Sequence, residues 1–262
     1  MEFQVDGKTV YAATGGRPFV AGQPTVAFLH GAGADHTVWT LQTRYFAHRG
    51  RNVLALDLPG HGRSDGPALE TVEAMADWVV GVLDAVGVDE AALIGHSMGS
   101  LVALDAAKRH GARVAALALL GAALPMPVAE PLLAAAEADH HAAFDMITIW
   151  GHSRPAQIGG NTAPGLWMTG EGLRLLERAR PGVLHAGLKA CNAYADGLDR
   201  LESVACPALL VLGGSDAMTP AASARAIAET LPDARVVTLE GCGHMMMTEK
   251  PDQVLDALIS IL

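Results

Sequence analysis

The chain has 262 residues, 50% of them hydrophobic, 18% charged and 5% aromatic, and 18 Lys and Arg against 28 Asp and Glu leave a formal net charge of −10. That length suits one large α/β domain or one domain with an insertion, and the composition excludes a disordered or low-complexity chain. With no cluster of basic residues to neutralise phosphates, nucleic acid is not expected as a partner.

The opening Met-Glu-Phe-Gln-Val-Asp carries acid where a signal peptide carries base, so no export signal is read. Phe3 to Ala13 suggests a weak hairpin. Thr25 to Leu29 and Asn52 to Leu58 are near-continuous apolar runs, the pattern of parallel strands covered on both faces. Thr71 is a plausible N-cap for a helix whose Val72, Met75, Val79, Val82, Leu83 and Val86 share one stripe. Ala91 to Gly95 predicts a third central strand, followed by a helical stretch to about Arg109. Val114 to Leu124 is the longest apolar run; it is too short for the ~18 residues of a membrane span and is stopped by Pro125, so Val114 to Leu120 reads as a buried strand and no membrane partner is expected.

From Ala122 to about Leu201 the rhythm breaks. Three helical stretches, Leu132 to Ile149, Glu171 to Arg180 and Val183 to Ala195, are separated by Gly- and Pro-rich turns. The strands resume at Ala208 to Leu212 and Ala234 to Leu239. Pro251 then opens a last helix with Val254, Leu255, Leu258 and Ile259 on one face. Alternating strands and helices of this kind predict an α/β fold, a mostly parallel sheet with helices on both faces. The core would comprise residues 1–121 and 202–262, with 122–201 as a helical insertion. Trp150, Trp167, Met126, Met146 and Met168 give the insertion a large apolar inventory. Trp150, Trp167, Met146 and Met168 are candidate substrate-binding residues, although such side chains can equally form a small core of the insertion itself. Cys191, Cys206 and Cys242 are odd in number and lack metal-like spacing, which suits a reducing compartment, and a cytoplasmic location is expected. No histidine pair has a spacing that demands a metal, and no cofactor is expected.

The sharpest signal is Gly95-His96-Ser97-Met98-Gly99, a G-x-S-x-G between a predicted strand and a predicted helix. A serine on so tight a turn is strained, and flanking glycines remove side chains that would collide with strand and helix. The hydroxyl is then presented at the carboxyl edge of the sheet. It needs a base and an orienting carboxylate. Among eleven histidines, His244 in Gly241-Cys242-Gly243-His244 is best placed, immediately after the last strand. Asp216 follows the strand Ala208 to Leu212 and lies at the same edge. The order Ser97, Asp216, His244 is that of the α/β-hydrolases. Backbone amides of Met98 and of Ala32, in His30-Gly31-Ala32-Gly33, are candidate oxyanion donors.

With these motifs, with Asp57-Leu58-Pro59-Gly60-His61-Gly62-Arg63-Ser64 and with Gly214-Ser215-Asp216, the chain resembles the α/β-hydrolase superfamily, in its lidded serine-esterase branch. The resemblance implies an eight-stranded sheet with one antiparallel strand near the N-terminus, Ser97, Asp216 and His244 as a catalytic triad, and the insertion as a cap over the cleft. The Asp57 segment is expected to be a structural turn.

The expected activity is hydrolysis of a small, uncharged, moderately apolar carboxylic ester through an acyl-enzyme on Ser97. Two alternatives stay open. One keeps the triad for C–C bond hydrolysis, lactone opening or perhydrolase/haloperoxidase chemistry; a diketone acid would need a cationic anchor, for which Arg154, Arg174, Arg178, Arg180 and Lys189 are candidates. The other is a small-ligand binding module with vestigial hydrolysis. Monomer and homodimer are equally compatible with the sequence.

Overall fold

The apolar runs pair side by side. In the computed structural model, which describes residues 1–160, 164–195 and 197–262, they form β1 (Glu2–Val5), β2 (Lys8–Ala13), β3 (Thr25–Leu29), β4 (Asn52–Leu56), β5 (Ala91–His96), β6 (Val114–Leu120), β7 (Ala208–Gly213) and β8 (Ala234–Leu239). All belong to one sheet in the order β1-β2-β4-β3-β5-β6-β7-β8. Pairing is parallel from β4 across to β8, while β2 is antiparallel to both its neighbours, so it alone runs against the rest. This is the eight-stranded α/β-hydrolase arrangement that the resemblance implies.

The helices are α1 (Thr40–Ala47), α2 (Val72–Ala85), α3 (Met98–Arg109), α4 (Glu130–Glu137), α5 (Ala142–Gly151), α6 (Arg154–Gln157), α7 (Met168–Glu177), α8 (Val183–Ala193), α9 (Arg225–Thr230), α10 (Met246–Glu249) and α11 (Pro251–Ile259). Thr71 caps α2 by accepting from the Ala74 amide at 3.1 Å, and Pro251 sits in the first turn of α11, where its missing N–H costs nothing. One face of the sheet buries Leu54 and Leu56 with Met75, Val79, Leu101 and Leu104 from α2 and α3. The other buries Phe28 and Val211 with Phe46, Val254 and Leu258 from α1 and α11. Each such side chain, once fully buried, stabilises the fold by roughly 1.5–3 kcal/mol.

Three expectations shift. β4 ends at Leu56 rather than Leu58, because the Leu58 amide turns away to donate to His30 Nε2 at 3.1 Å. β8 lies at the edge of the sheet, so Arg235, Val236 and Thr238 face solvent and the strand is not covered on both faces. The helix read over Leu132 to Ile149 is broken into α4 and α5 at residues 138–141, where Asp139 adopts φ +47° and its carboxylate accepts from the Gly182 amide at 2.8 Å. Among the described residues five helices, α4 to α8, thus lie between β6 and β7, and Leu132, Ala136, Ala143, Leu176, Leu184 and Leu188 make a small apolar cluster among them. Among the described residues no helix is long and apolar enough to cross a membrane.

Candidate active site

Ser97 stands between the end of β5 and the start of α3 with φ +54° and ψ −118°, a backbone conformation that side chains other than glycine rarely adopt. The glycines around it are obligatory. A Cβ on Gly95 would come within 2.0 Å of the Gly99 carbonyl oxygen, and one on Gly99 within 2.3 Å of the Leu29 carbonyl oxygen. The Ser97 amide donates to the Leu120 carbonyl at 2.9 Å, which fastens the strained turn to β6.

His244 and Asp216 arrive from the loops after β8 and β7. Those loops are joined by the Ser215 amide, which donates to the Cys242 carbonyl at 2.8 Å. His244 Nδ1 lies 2.8 Å from Asp216 Oδ2, with the His244 side chain 3% exposed and that of Asp216 wholly buried. A carboxylate can only accept, so Nδ1 carries the proton and Nε2 is left as the basic nitrogen. Asp216 Oδ1 also accepts from the amides of Met218 and Thr219, each at 2.8 Å, and the Thr219 hydroxyl donates to Oδ2 at 2.7 Å. Burial alone would push the Asp216 carboxyl up; the electrostatic pull of the His244 ring and these donations outweigh it and hold the group below the usual carboxylate range.

Thr219 was not legible as a site residue, and neither was Glu249. Glu249, buried on α10, accepts from the Gly243 amide and the Ser153 amide, both at 3.1 Å, and so ties the His244 loop to the segment before α6. His96 presents Nε2 to the His244 carbonyl at 3.0 Å, and its ring lies 4.6 Å from that of His244. The carbonyl can only accept, so His96 Nε2 carries a proton; burial drives the imidazole down to about 3 and keeps it neutral.

Ser97 and His244 face one cavity of about 390 Å³, bounded by Ala32, Met126, Val128, Leu132, Trp150, Leu188 and Met218 among others. A smaller cavity of about 60 Å³ shares Ala32, Ser97, Leu188, Met218 and His244 with it and extends under α5 and α7. No hydrogen bond joins Ser97 Oγ to His244 in this structure, as is common before substrate is bound. Ala32 lines both cavities, and Met98, fully buried, begins α3, so its amide is one of the helix-start donors without an intrahelical partner. α8 rests directly on these two residues: a Cβ on Gly187 would come within 2.8 Å of Ala32 Cβ and 3.0 Å of Met98 Sδ.

Of the four insertion residues expected to bind substrate, only Trp150 lines a cavity at Ser97. Trp167 is 71% exposed, its ring lying over Gly170 at the start of α7. Met146 packs against the small cluster of the insertion, and Met168 is buried away from both cavities. Met126 does line the larger one. Among Arg154, Arg174, Arg178, Arg180 and Lys189, none lines either cavity. Arg178 pairs with Asp35 at 2.7 Å, Arg180 donates to the Ser64 carbonyl at 2.9 Å, and Arg174 pairs with Glu177.

Asp57 is buried and saturated. It accepts from the His36 amide and His36 Nδ1, each at 2.8 Å, and from the Arg63 amide at 2.9 Å, as a turn residue does. Among the described residues, Asp35, His36 and Asp57 bring three possible metal-ligating atoms within 4.8 Å. Asp35 is already engaged by Thr37 and Arg178, and His36 by Asp57, so each of the three side chains already has a partner in the protein.

A parallel sheet of this order with a strained serine at the end of its central strand defines the α/β-hydrolase class. The chain belongs to the alpha/beta hydrolase family, whose model matches residues 26–257. It is a hydrolase. It is 34% identical over 248 residues to a pimeloyl-[acyl-carrier protein] methyl ester esterase of Aromatoleum aromaticum, a match covering 88% of this chain and 94% of that protein. An (E)-2-((N-methylformamido)methylene)succinate hydrolase of Acinetobacter baylyi is 27% identical over 244 residues, covering 90% and 89%. Among solved structures, the enol-lactonase of Burkholderia xenovorans LB400 superposes with a TM-score of 0.88 at 22% identity, over 100% of this chain and 99% of that one, and shares the fold. Est816, described as an N-acyl homoserine lactone degrading enzyme, gives 0.82 at 25% identity over the whole of both chains.

Proposed function

We propose that the chain is a serine esterase that cleaves a small, uncharged, moderately apolar carboxylic ester through an acyl-enzyme on Ser97, with residues 122–201 as a cap over the cleft. The observation that carries this is the His244–Asp216 contact of 2.8 Å beside a serine that faces the same apolar cavity. Ser97 Oγ attacks the ester carbonyl as His244 Nε2 takes its proton. The amides of Ala32 and Met98 hold the oxyanion, and each is worth ~2.7–4 kcal/mol in comparable sites. His244 then returns the proton to the leaving alkoxide as the C–O bond breaks. Water, deprotonated by the same nitrogen, attacks the acyl carbon and releases Ser97 and the acid. Asp216 fixes the tautomer of His244 and stabilises the imidazolium without taking its proton.

The apolar cavity supports an uncharged substrate, since burying an unpaired carboxylate there would cost several kcal/mol. It disfavours the diketone-acid reading, because none of the candidate cations lines either cavity and Arg174, Arg178 and Arg180 are engaged elsewhere. The relative named as a methyl ester esterase supports an ester over other bonds. Three free cysteines fit work in a reducing cytoplasm.

The test is p-nitrophenol release from acyl esters of increasing chain length, by the parent and by Ser97→Ala. Turnover lost in the variant, with an optimum at a medium acyl chain that fills the larger cavity, is expected. Turnover that survives Ser97→Ala would contradict the assignment.

A further inference from the structure

The two cavities at Ser97 differ in chemistry as well as size. The larger one is walled mainly by Met, Leu, Val, Ala and Trp side chains. The smaller one is lined by Ile147, Leu175 and Leu176 but also by two imidazoles, His96 and His152, that the reaction itself leaves unused.

Each ring has one nitrogen committed to a carbonyl. His96 Nε2 donates to the His244 carbonyl at 3.0 Å, and His152 Nδ1 donates to the Thr148 carbonyl at 2.8 Å. Both rings are neutral, since burial lowers each of them, His96 to about 3. A neutral imidazole with one N–H committed has a lone pair on its other nitrogen. His96 Nδ1 and His152 Nε2 therefore act only as acceptors. Among the described residues neither has a partner, and neither is among the sealed polar atoms, which are Trp39 Nε1, Gln42 Oε1, His61 Nε2 and Thr148 Oγ1.

The placement is rigid. The Met245 amide donates to the Gly151 carbonyl at 2.9 Å, and the Ser153 amide donates to Glu249, so His152 is held from both sides against the loop that carries His244. A cavity of about 60 Å³ holds about two or three non-hydrogen atoms.

We propose that this small cavity is a specificity subsite for a short arm bearing a neutral O–H or N–H donor, whose hydrogen is accepted by His152 Nε2 and, where the arm carries a second donor hydrogen, also by His96 Nδ1, while the apolar arm of the same ester fills the larger cavity. The inference rests on the esterase reading and adds the substrate class: an ester with one long apolar arm and one short hydroxylated or amide-bearing arm. An apolar short arm would leave both lone pairs desolvated and unpaired, which is how a site built for a donor rejects the analogue lacking it.

Two matched pairs test it. They are 2-hydroxyethyl hexanoate against propyl hexanoate, and hexyl glycolate against hexyl propanoate; within a pair only a hydroxyl replaces a methyl. The parent should prefer the hydroxylated member of one pair by about tenfold in kcat/KM, and which pair does so places the donor on the alcohol or the acyl side. In His152→Phe that preference should fall to near unity, with turnover of the apolar member within about threefold of the parent. His152→Gln, whose Oε1 restores an acceptor near the position of Nε2, should recover part of it. Equal turnover within both pairs by the parent, or a preference unchanged in folded His152→Phe, would overturn the subsite. The same esters titrated against Ser97→Ala give affinities without turnover. Tighter binding of a hydroxylated member there, with an inactive parent, sustains the subsite and counts against the esterase reading; equal binding overturns the subsite whatever the activity.

Discussion

Ser97, Asp216 and His244 were legible because each is fixed by a local signal: a five-residue turn motif, and loops that directly follow apolar strands. Their supports were not. Thr219 bonds Asp216 only because the loop after β7 curls back on itself, and Glu249 reaches Gly243 and Ser153 from a short helix later in the chain. Such partners depend on tertiary placement, which no spacing in the sequence reveals. Asp216→Asn should retain the fold yet lower kcat by about 10⁴-fold, since an amide in place of the carboxylate can stabilise the wrong tautomer of His244. Steady-state kinetics with thermal melting of the variant checks both halves. A loss below tenfold would mean that another group orients the imidazole.

At the scale of elements, the central strands were readable as apolar runs because helices cover both faces there; β8 was read with the observed bounds, but as an edge strand it is only partly covered. The α4–α5 break escaped notice because the apolar pattern runs through it. What interrupts the helix is Asp139, whose bond to the Gly182 amide lies 43 residues away in sequence. Within the Ser97 turn, Gly99→Ala would force a methyl group against the Leu29 carbonyl, and a loss of roughly 3 kcal/mol or more, seen by chemical denaturation, is expected. Gly187→Ala acts differently. Its methyl would press on Ala32 and Met98, lifting α8 from the candidate oxyanion donors. The fold should survive while kcat falls about tenfold or more, as misplaced donors lose transition-state stabilisation. Unchanged kcat in that variant would mean that α8 does not set the position of those donors.

Across the whole molecule, His30, His61, His96 and His152 are buried and held below the ordinary histidine value by desolvation, His61 and His96 at about 3. The unfolded chain protonates these groups first as pH falls. Their contribution is therefore complete above ~6.5 and is lost as pH drops from there toward the folded values. The depressed Asp216 carboxyl acts in the same sense at lower pH, its stabilisation fading below ~4. Stability should thus fall steeply between pH 7 and pH 5, by about 2 kcal/mol for each of His61 and His96, and denaturant midpoints at the two pH values will show it. Equal midpoints would contradict neutral burial of these rings. The insertion is fastened to the core by Arg178 on Asp35 and by Arg180 on the Ser64 carbonyl; these contacts over a half-exposed surface hold position more than they add stability. The proposed covalent acyl group on Ser97 Oγ would depend on sheet, loops and insertion together. The direct measurement is intact and peptide mass after rapid acid quenching of the enzyme with a p-nitrophenyl ester. A transient gain of one acyl mass is expected, confined to the peptide containing Ser97 and absent from Ser97→Ala. Full turnover with the acyl mass on another residue would contradict it.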